Sequence, residues 1–263
     1  MVAFVTEMPK RINVTDFNLA ATLECGQAFR WSRQPDGWYE GVVGQKLHRV
    51  RQTGDILEGD FDSHYLALNV SLPAITATFP KDAPLRRAVK KHWGLRLTRQ
   101  EPWETLASFI ASSTKQIVQI RQIVEHLARR FGEPLNATHF SFPSPDVIAR
   151  ASHEELLACK LGFRAKYIQA AARQVADGKL NLAALRKMEY ERALEELMAL
   201  PGVGEKIGNC VLLFSCGHEN AFPIDVWVRR ALERLYRHPV EPSYFGRYAG
   251  WAGQYLFHNE RNQ

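Results

Sequence analysis

Leu200-Pro-Gly-Val-Gly-Glu-Lys-Ile-Gly-Asn-Cys210, followed by Pro223-Ile-Asp-Val226, is the stretch whose reading decides the fold. Apolar residues at helical spacing run from Ala193 to Ala199 and again from about Glu205 to Cys216. Between them Pro201, Gly202 and Gly204 allow a sharp turn and leave bare backbone N–H groups at a surface. The segment over 193–216 therefore reads as a helical hairpin, and the glycines alone would suit an ordinary one. Lys206 falls in the first turn of the exit helix, where the helix dipole disfavours a purely structural cation. Asp225 follows Pro223 and precedes an amphipathic run, the position of a helix N-cap. An amine and a carboxylate thus stand at the mouths of two neighbouring helices.

The rest of the composition narrows the class. The 263 residues suffice for one large domain or two modest ones, and 46% hydrophobic with 24% charged residues is the balance of a water-soluble globular protein. A formal charge of +6 leans toward a polyanionic partner without requiring one. Cys25, Cys159, Cys210 and Cys216 lack C-x-x-C spacing, which argues against a zinc site, a disulfide framework or an Fe–S cluster and favours a reducing compartment. Residues 1–9 lack a basic segment followed by a long apolar core, so no secretion signal is expected, and no apolar run is long enough to span a membrane.

Along the chain, residues 11–62 read as strands separated by Pro35-Asp-Gly37, Gly44 and Thr53-Gly-Asp55, an antiparallel meander. Residues 63–71 and 84–93 read as helices. From Leu106 to Phe131 one apolar stripe holds helical spacing, interrupted at Ser112-Ser-Thr-Lys115 by either a helix bend or a surface segment facing a partner. Ser144-Pro145 and Ser152-His-Glu-Glu155 mark helix starts. Tyr248 to Phe257 is apolar enough to be buried. The fold class expected is α+β: an N-terminal antiparallel sheet domain with flanking helices over 1–98, then an all-α region of two helical lobes over 99–263.

Four motifs then fall into line. Leu200-Pro-Gly-Val-Gly-Glu-Lys206 with Pro223-Ile-Asp-Val226, Cys25-Gly-Gln-Ala-Phe-Arg-Trp31, Leu161-Gly-Phe-Arg-Ala-Lys-Tyr167 and Tyr248-Ala-Gly-Trp-Ala-Gly-Gln-Tyr-Leu-Phe257 together resemble the 8-oxoguanine DNA glycosylase family of the helix-hairpin-helix Gly/Pro-Asp superfamily. The resemblance spans about residues 20–258. It implies excision of 8-oxoguanine from a flipped nucleotide in double-stranded DNA, with strand nicking by an AP lyase step. Lys206 corresponds to the nucleophile and Asp225 to the carboxylate that stabilises positive charge on the sugar. Around the base, the resemblance assigns Gly26 as the carbonyl that accepts the N7 hydrogen, with Gln27 beside it. Cys210, Phe214 and Gly253 line the base pocket, and Phe257 stacks on the base. Toward the DNA it assigns Thr114, Lys115, Trp227, the wedge Phe163, the cytosine contact Arg164 and the hairpin residues Gly202, Val203 and Gly204. Carbonyls of Met198, Leu200 and Val203 would hold a monovalent cation, Na+ or K+; no other cofactor is expected. A monomer is expected, in the cytoplasm of a bacterium or the nucleus of a eukaryote.

The chain departs from the family at four places: Gly253 stands where a glutamine reads the base, with Gln254 expected to point elsewhere; Thr114 replaces an asparagine and Gln119 an arginine that read the opposite cytosine; Trp227 replaces a histidine. A less strict opposite-base preference follows. Two rivals stay open at this stage. An alkylated-base glycosylase of the 3-methyladenine type would use the aspartate without the lysine, and a non-catalytic hairpin would only grip DNA.

Overall fold

The computed structural model describes residues 9–262; most of the stretch read for a secretion signal lies outside them. Five strands, β1 (Lys10–Asn13), β2 (Trp31–Arg33), β3 (Tyr39–Val43), β4 (Lys46–Thr53) and β5 (Ile56–Asp60), form one antiparallel sheet in the order β1-β5-β4-β3-β2. The turns fall where the sequence placed them, with Gly37, Gly44 and Gly54 all at positive φ. One short helix, α1 (Leu19–Glu24), interrupts the meander. Asn18 caps it by accepting from Ala21 N at 2.9 Å, and Leu19 and Leu23 bury beneath the sheet. The helix expected over 63–71 does not form: the segment is a series of turns with Ala67 at φ 52°.

The helices are α2 (Leu72–Thr76), α3 (Ala83–Lys91), α4 (Pro102–Ala111), α5 (Ile117–Phe131), α6 (Pro145–Arg150), α7 (His153–Ala158), α8 (Ala165–Ala176), α9 (Tyr190–Met198), α10 (Glu205–Val211), α11 (Val226–Leu235) and α12 (Ala249–Arg261). Local chemistry explains their limits. Asp82, Glu101, Ser144 and Ser152 each accept N–H bonds from the first turn that follows. The apolar stripe over 106–131 is two helices: Ser112 Oγ donates to Phe109 O at 2.7 Å and ends α4, Thr114 turns left-handed at φ 56°, and a Gln116–Gln119 capping box restarts the chain as α5. After α10 the helix widens to a π turn over Leu212–Cys216 and stops at Gly217, φ 80°.

Two cores result. A small one under the sheet joins Leu19, Trp31, Val50, Leu57 and Phe61. The larger one runs from Leu72 to Leu256 and takes in Cys25 and Phe29 from the N-terminal segment. α2 and α3 contribute to this larger core. Trp251 and Tyr255 of α12 lie fully inside it, each large apolar side chain there contributing about 1.5–3 kcal/mol. No helix among the described residues is long and apolar enough to cross a membrane.

Candidate active site

α9, the turn 199–204 and α10 make the hairpin. Gly202 adopts φ 80°, and a Cβ there would lie 2.5 Å from the Tyr167 ring, so only glycine fits. Gly204 is an extended N-cap without a side chain, which leaves the start of α10 open. Lys206 is in that first turn, half-buried. Its Nζ donates to Ser112 Oγ at 3.2 Å and lies 5.0 Å from the centre of the Phe109 ring. Asp225 caps α11: Oδ1 accepts from Trp227 N and Val228 N, both at 2.9 Å. The cap fixes the carboxylate, and Oδ2 has no protein donor among the described residues. Cys210 lies one turn after Lys206. Burial pushes its thiol up to about 11, the Lys206 charge opposing and the Asp225 charge adding, so it stands as a neutral thiol beside the amine.

Lys206, Cys210, Phe214 and Asp225 line one cavity of about 1020 Å³, together with Gly26, Gly253 and Phe257. Phe214 stacks on Phe109 at 5.6 Å and 16°. Gly26 has φ 80°; a Cβ on it would meet Ile117 Cδ1 at 2.7 Å and Phe257 Cε1 at 3.4 Å. At Gly253 a Cβ would meet the Phe222 ring at 2.8 Å, so an apolar core residue occupies the room a longer side chain would need. Gln254, expected to point elsewhere, lines the cavity, with Nε2 donating to Cys25 O at 3.0 Å. Gln27 does not line it. Fully buried, it donates to Thr22 O (2.8 Å) and Arg96 O (2.7 Å) and accepts from Thr98 N (3.0 Å), bracing the wall from behind.

Thr114, Lys115 and Trp227 line the mouth, with the Arg230 guanidinium 4.9 Å from the Trp227 ring. Phe163 projects, 56% exposed, from the turn before α8. Arg164 does not project with it. It is 4% exposed, with Nε donating to Ser113 O at 2.9 Å and Nη2 to Thr114 Oγ1 at 2.7 Å. In the hairpin Val203 N donates to Leu200 O at 3.1 Å, while the N–H groups of Gly202 and Gly204 have no backbone partner among the described residues.

A group of basic side chains in the cavity has no counterpart in the sequence reading. Arg33, Arg121 and Arg261 line it, with Glu24 and Tyr39. Arg261 could have been found from helix periodicity, since Gly253, Phe257 and Arg261 share one face of α12 at i, i+4 and i+8. Ser112, the lysine's partner, falls in the break of the apolar stripe, but no spacing ties it to Lys206. No cluster of three or more His, Cys, Asp or Glu side chains among the described residues is placed to hold a metal.

An amine and a capped carboxylate across a hairpin-walled cavity define a helix-hairpin-helix base-excision architecture, and residues 107–244 match the HhH-GPD superfamily of base excision DNA repair proteins. Residues 11–106 match the 8-oxoguanine DNA glycosylase N-terminal domain, and the chain belongs to the 8-oxoguanine DNA glycosylase family. It is 31% identical to N-glycosylase/DNA lyase OGG1 of Arabidopsis thaliana, the match covering 95% of this chain and 79% of the relative. Among solved structures, MBOgg1 in complex with a low-affinity DNA ligand superposes with TM-score 0.92 at 35% identity, covering 98% and 96% of the two chains. The 8-oxoguanine glycosylase/lyase of Clostridium acetobutylicum, in complex with double-stranded DNA containing cytosine opposite 8-oxoguanine, superposes with TM-score 0.90 at 30% identity, covering 97% and 98%.

Proposed function

We propose that this protein excises 8-oxoguanine from double-stranded DNA in base excision repair, and that it nicks the strand afterwards. The observation that carries the reading is the convergence of Lys206 and the unspent Oδ2 of Asp225 on one cavity. A nucleotide turned out of the stack enters that cavity, at a cost of a few kcal/mol. The Lys206 nitrogen attacks C1′ and the bond from C1′ to the base breaks, the bonding pair leaving with the base. Asp225 stabilises the positive charge that develops on the sugar, and its cap bonds hold it in place without reorganisation. The resulting aminal opens to a Schiff base, and loss of a C2′ proton expels the 3′ phosphate.

Gly26 offers its carbonyl to the N7 hydrogen, which 8-oxoguanine carries and guanine lacks. Phe257 and Cys210 flank the base, and Phe163 fills the gap it leaves. Gly202 and Gly204 hold backbone phosphates through their N–H groups, contacts without sequence information. The hairpin also suits a monovalent cation. The carbonyls of Met198 and Val203 accept no hydrogen bond among the described residues, and that of Leu200 accepts one. With Na+ or K+ bound there, the hairpin would carry positive charge toward a phosphate. The reading needs one chain, acting where DNA is kept: cytoplasm in a bacterium, nucleus in a eukaryote.

The test is incubation with duplexes that hold 8-oxoguanine opposite each of the four bases, with and without borohydride. Nicked product without alkali and a borohydride-trapped adduct are expected, with modest differences between opposite bases. Release of base with no adduct would instead point to a glycosylase without the lysine chemistry.

A further inference from the structure

The proposed chemistry gives no role to Arg33, Arg121 and Arg261, which also line the cavity. In 8-oxoguanine the N7 hydrogen lies between two carbonyl oxygens, O6 and O8. A lesion that gives this hydrogen to Gly26 therefore presses one of those oxygens toward whatever stands beside Gly26. Arg261 stands there: a Cβ added to Gly26 would be 3.0 Å from Arg261 Nη1. The Arg261 guanidinium carbon is also 5.6 Å from the centre of the Phe257 ring. Nη2 donates to Glu24 O at 2.7 Å, which fixes the fork; Nε and Nη1 have no protein acceptor among the described residues.

The surroundings favour an acceptor-rich ligand edge. Arg33 and Arg121 line the same cavity, and Arg121 Nε is buried without a hydrogen-bond partner. Glu24 sets its Oε1 against Tyr39 OH at 2.5 Å. On the α12 wall, Gly253 has no side chain to offer and the Gln254 amide nitrogen is held by Cys25 O.

We propose that Arg261 is a specificity-determining residue that donates from Nη1 to O6 or O8 of the flipped lesion, replacing the base contact that Gly253 cannot make. The inference rests on the reading of Gly26 given above. Discrimination against guanine stays with Gly26: without the N7 hydrogen, guanine meets that carbonyl with a lone pair and cannot settle where the arginine reaches it.

Single-turnover excision by the wild type, Arg261→Met and Arg261→Lys decides it, on duplexes holding 8-oxoguanine or 8-oxoadenine, with a preformed abasic duplex as control. 8-Oxoadenine keeps the N7 hydrogen and O8 but carries an amine in place of O6. Arg261→Met is expected to slow excision of 8-oxoguanine roughly 10- to 100-fold, the range for losing a charged hydrogen bond. Nicking of the abasic duplex, which has no base to read, stays at the wild-type rate, and Arg261→Lys recovers part of the loss. A fall confined to 8-oxoguanine assigns the contact to O6, and an equal fall on both lesions assigns it to O8. Unchanged excision by Arg261→Met, or equal loss of excision and abasic nicking, overturns the proposal. Failure of the wild type on 8-oxoguanine would sink the proposed function instead.

Discussion

The wall of the cavity built by α10 and α11 and the wall built by the α4–α5 loop, which Arg164 braces from behind, are both polar, but they hold their polar groups differently. On the first, Lys206 and Asp225 stand at helix starts and keep an amine and one carboxylate oxygen directed into the cavity. On the second, Arg164, Ser113 and Thr114 close on one another and offer little to a second molecule. Preorganised groups aimed at developing charge are what a chemical step requires, whereas groups that must first release each other make a weak reader. The arrangement supports the proposal of an enzyme with its reaction fixed and its choice of opposite base loosely set.

The strongest way to break this comparison is to disarm the first wall. Lys206→Gln is expected to abolish the borohydride-trapped adduct and strand nicking while the fold survives, since the side chain is half-exposed. Asp225→Asn keeps a cap acceptor and removes the charge, so excision should fall on the order of 100- to 1,000-fold, with little change in melting temperature. A large drop in melting temperature for Asp225→Asn would mean that the carboxylate serves the helix more than the reaction. Gly26→Ala should have a smaller effect. The left-handed backbone resists a Cβ by about 1–2 kcal/mol, and Ile117 must shift, so excision falls while abasic nicking persists. Equal rates on both substrates would remove Gly26 from the base pocket.

The smallest effect sharpens the second wall. Thr114 is β-branched and held at φ 56°, a region that asparagine tolerates better. Thr114→Asn should relieve about 1 kcal/mol and raise the melting temperature by about 2–4 °C. It should also increase the preference for cytosine opposite the lesion, measured as the ratio of excision rates across the four duplexes. A lower melting temperature would mean that the Arg164–Thr114 bond outweighs the strain.

What the sequence made legible follows the same line. The hairpin, the Asp225 cap, the strand turns and most helix starts depend on residues a few positions apart, and glycines, prolines and cap side chains report them directly. Helix α1 was missed because six residues give too short a period to stand out inside a run of strands. The segment over 63–71 misled because apolar spacing carries no sign of Ala67 turning left-handed. Arg164 was expected at the surface, and its burial depends on the carbonyl of Ser113, fifty-one residues earlier. The Arg261–Gly26 neighbourhood joins positions more than two hundred residues apart, and no local pattern carries such a closure.

That closure has a bearing on how the protein comes into being. The amine and the carboxylate are both synthesised before α12, yet Gly253, Phe257 and Arg261, which complete the proposed lesion pocket against Gly26, arrive only with α12. A nascent chain on the ribosome thus holds its reactive pair before it holds the surface proposed to tell a damaged base from a sound one. Because Trp251 and Tyr255 of the same helix also complete the main core, folding and discernment mature together, and an unfinished chain should be harmless to intact DNA.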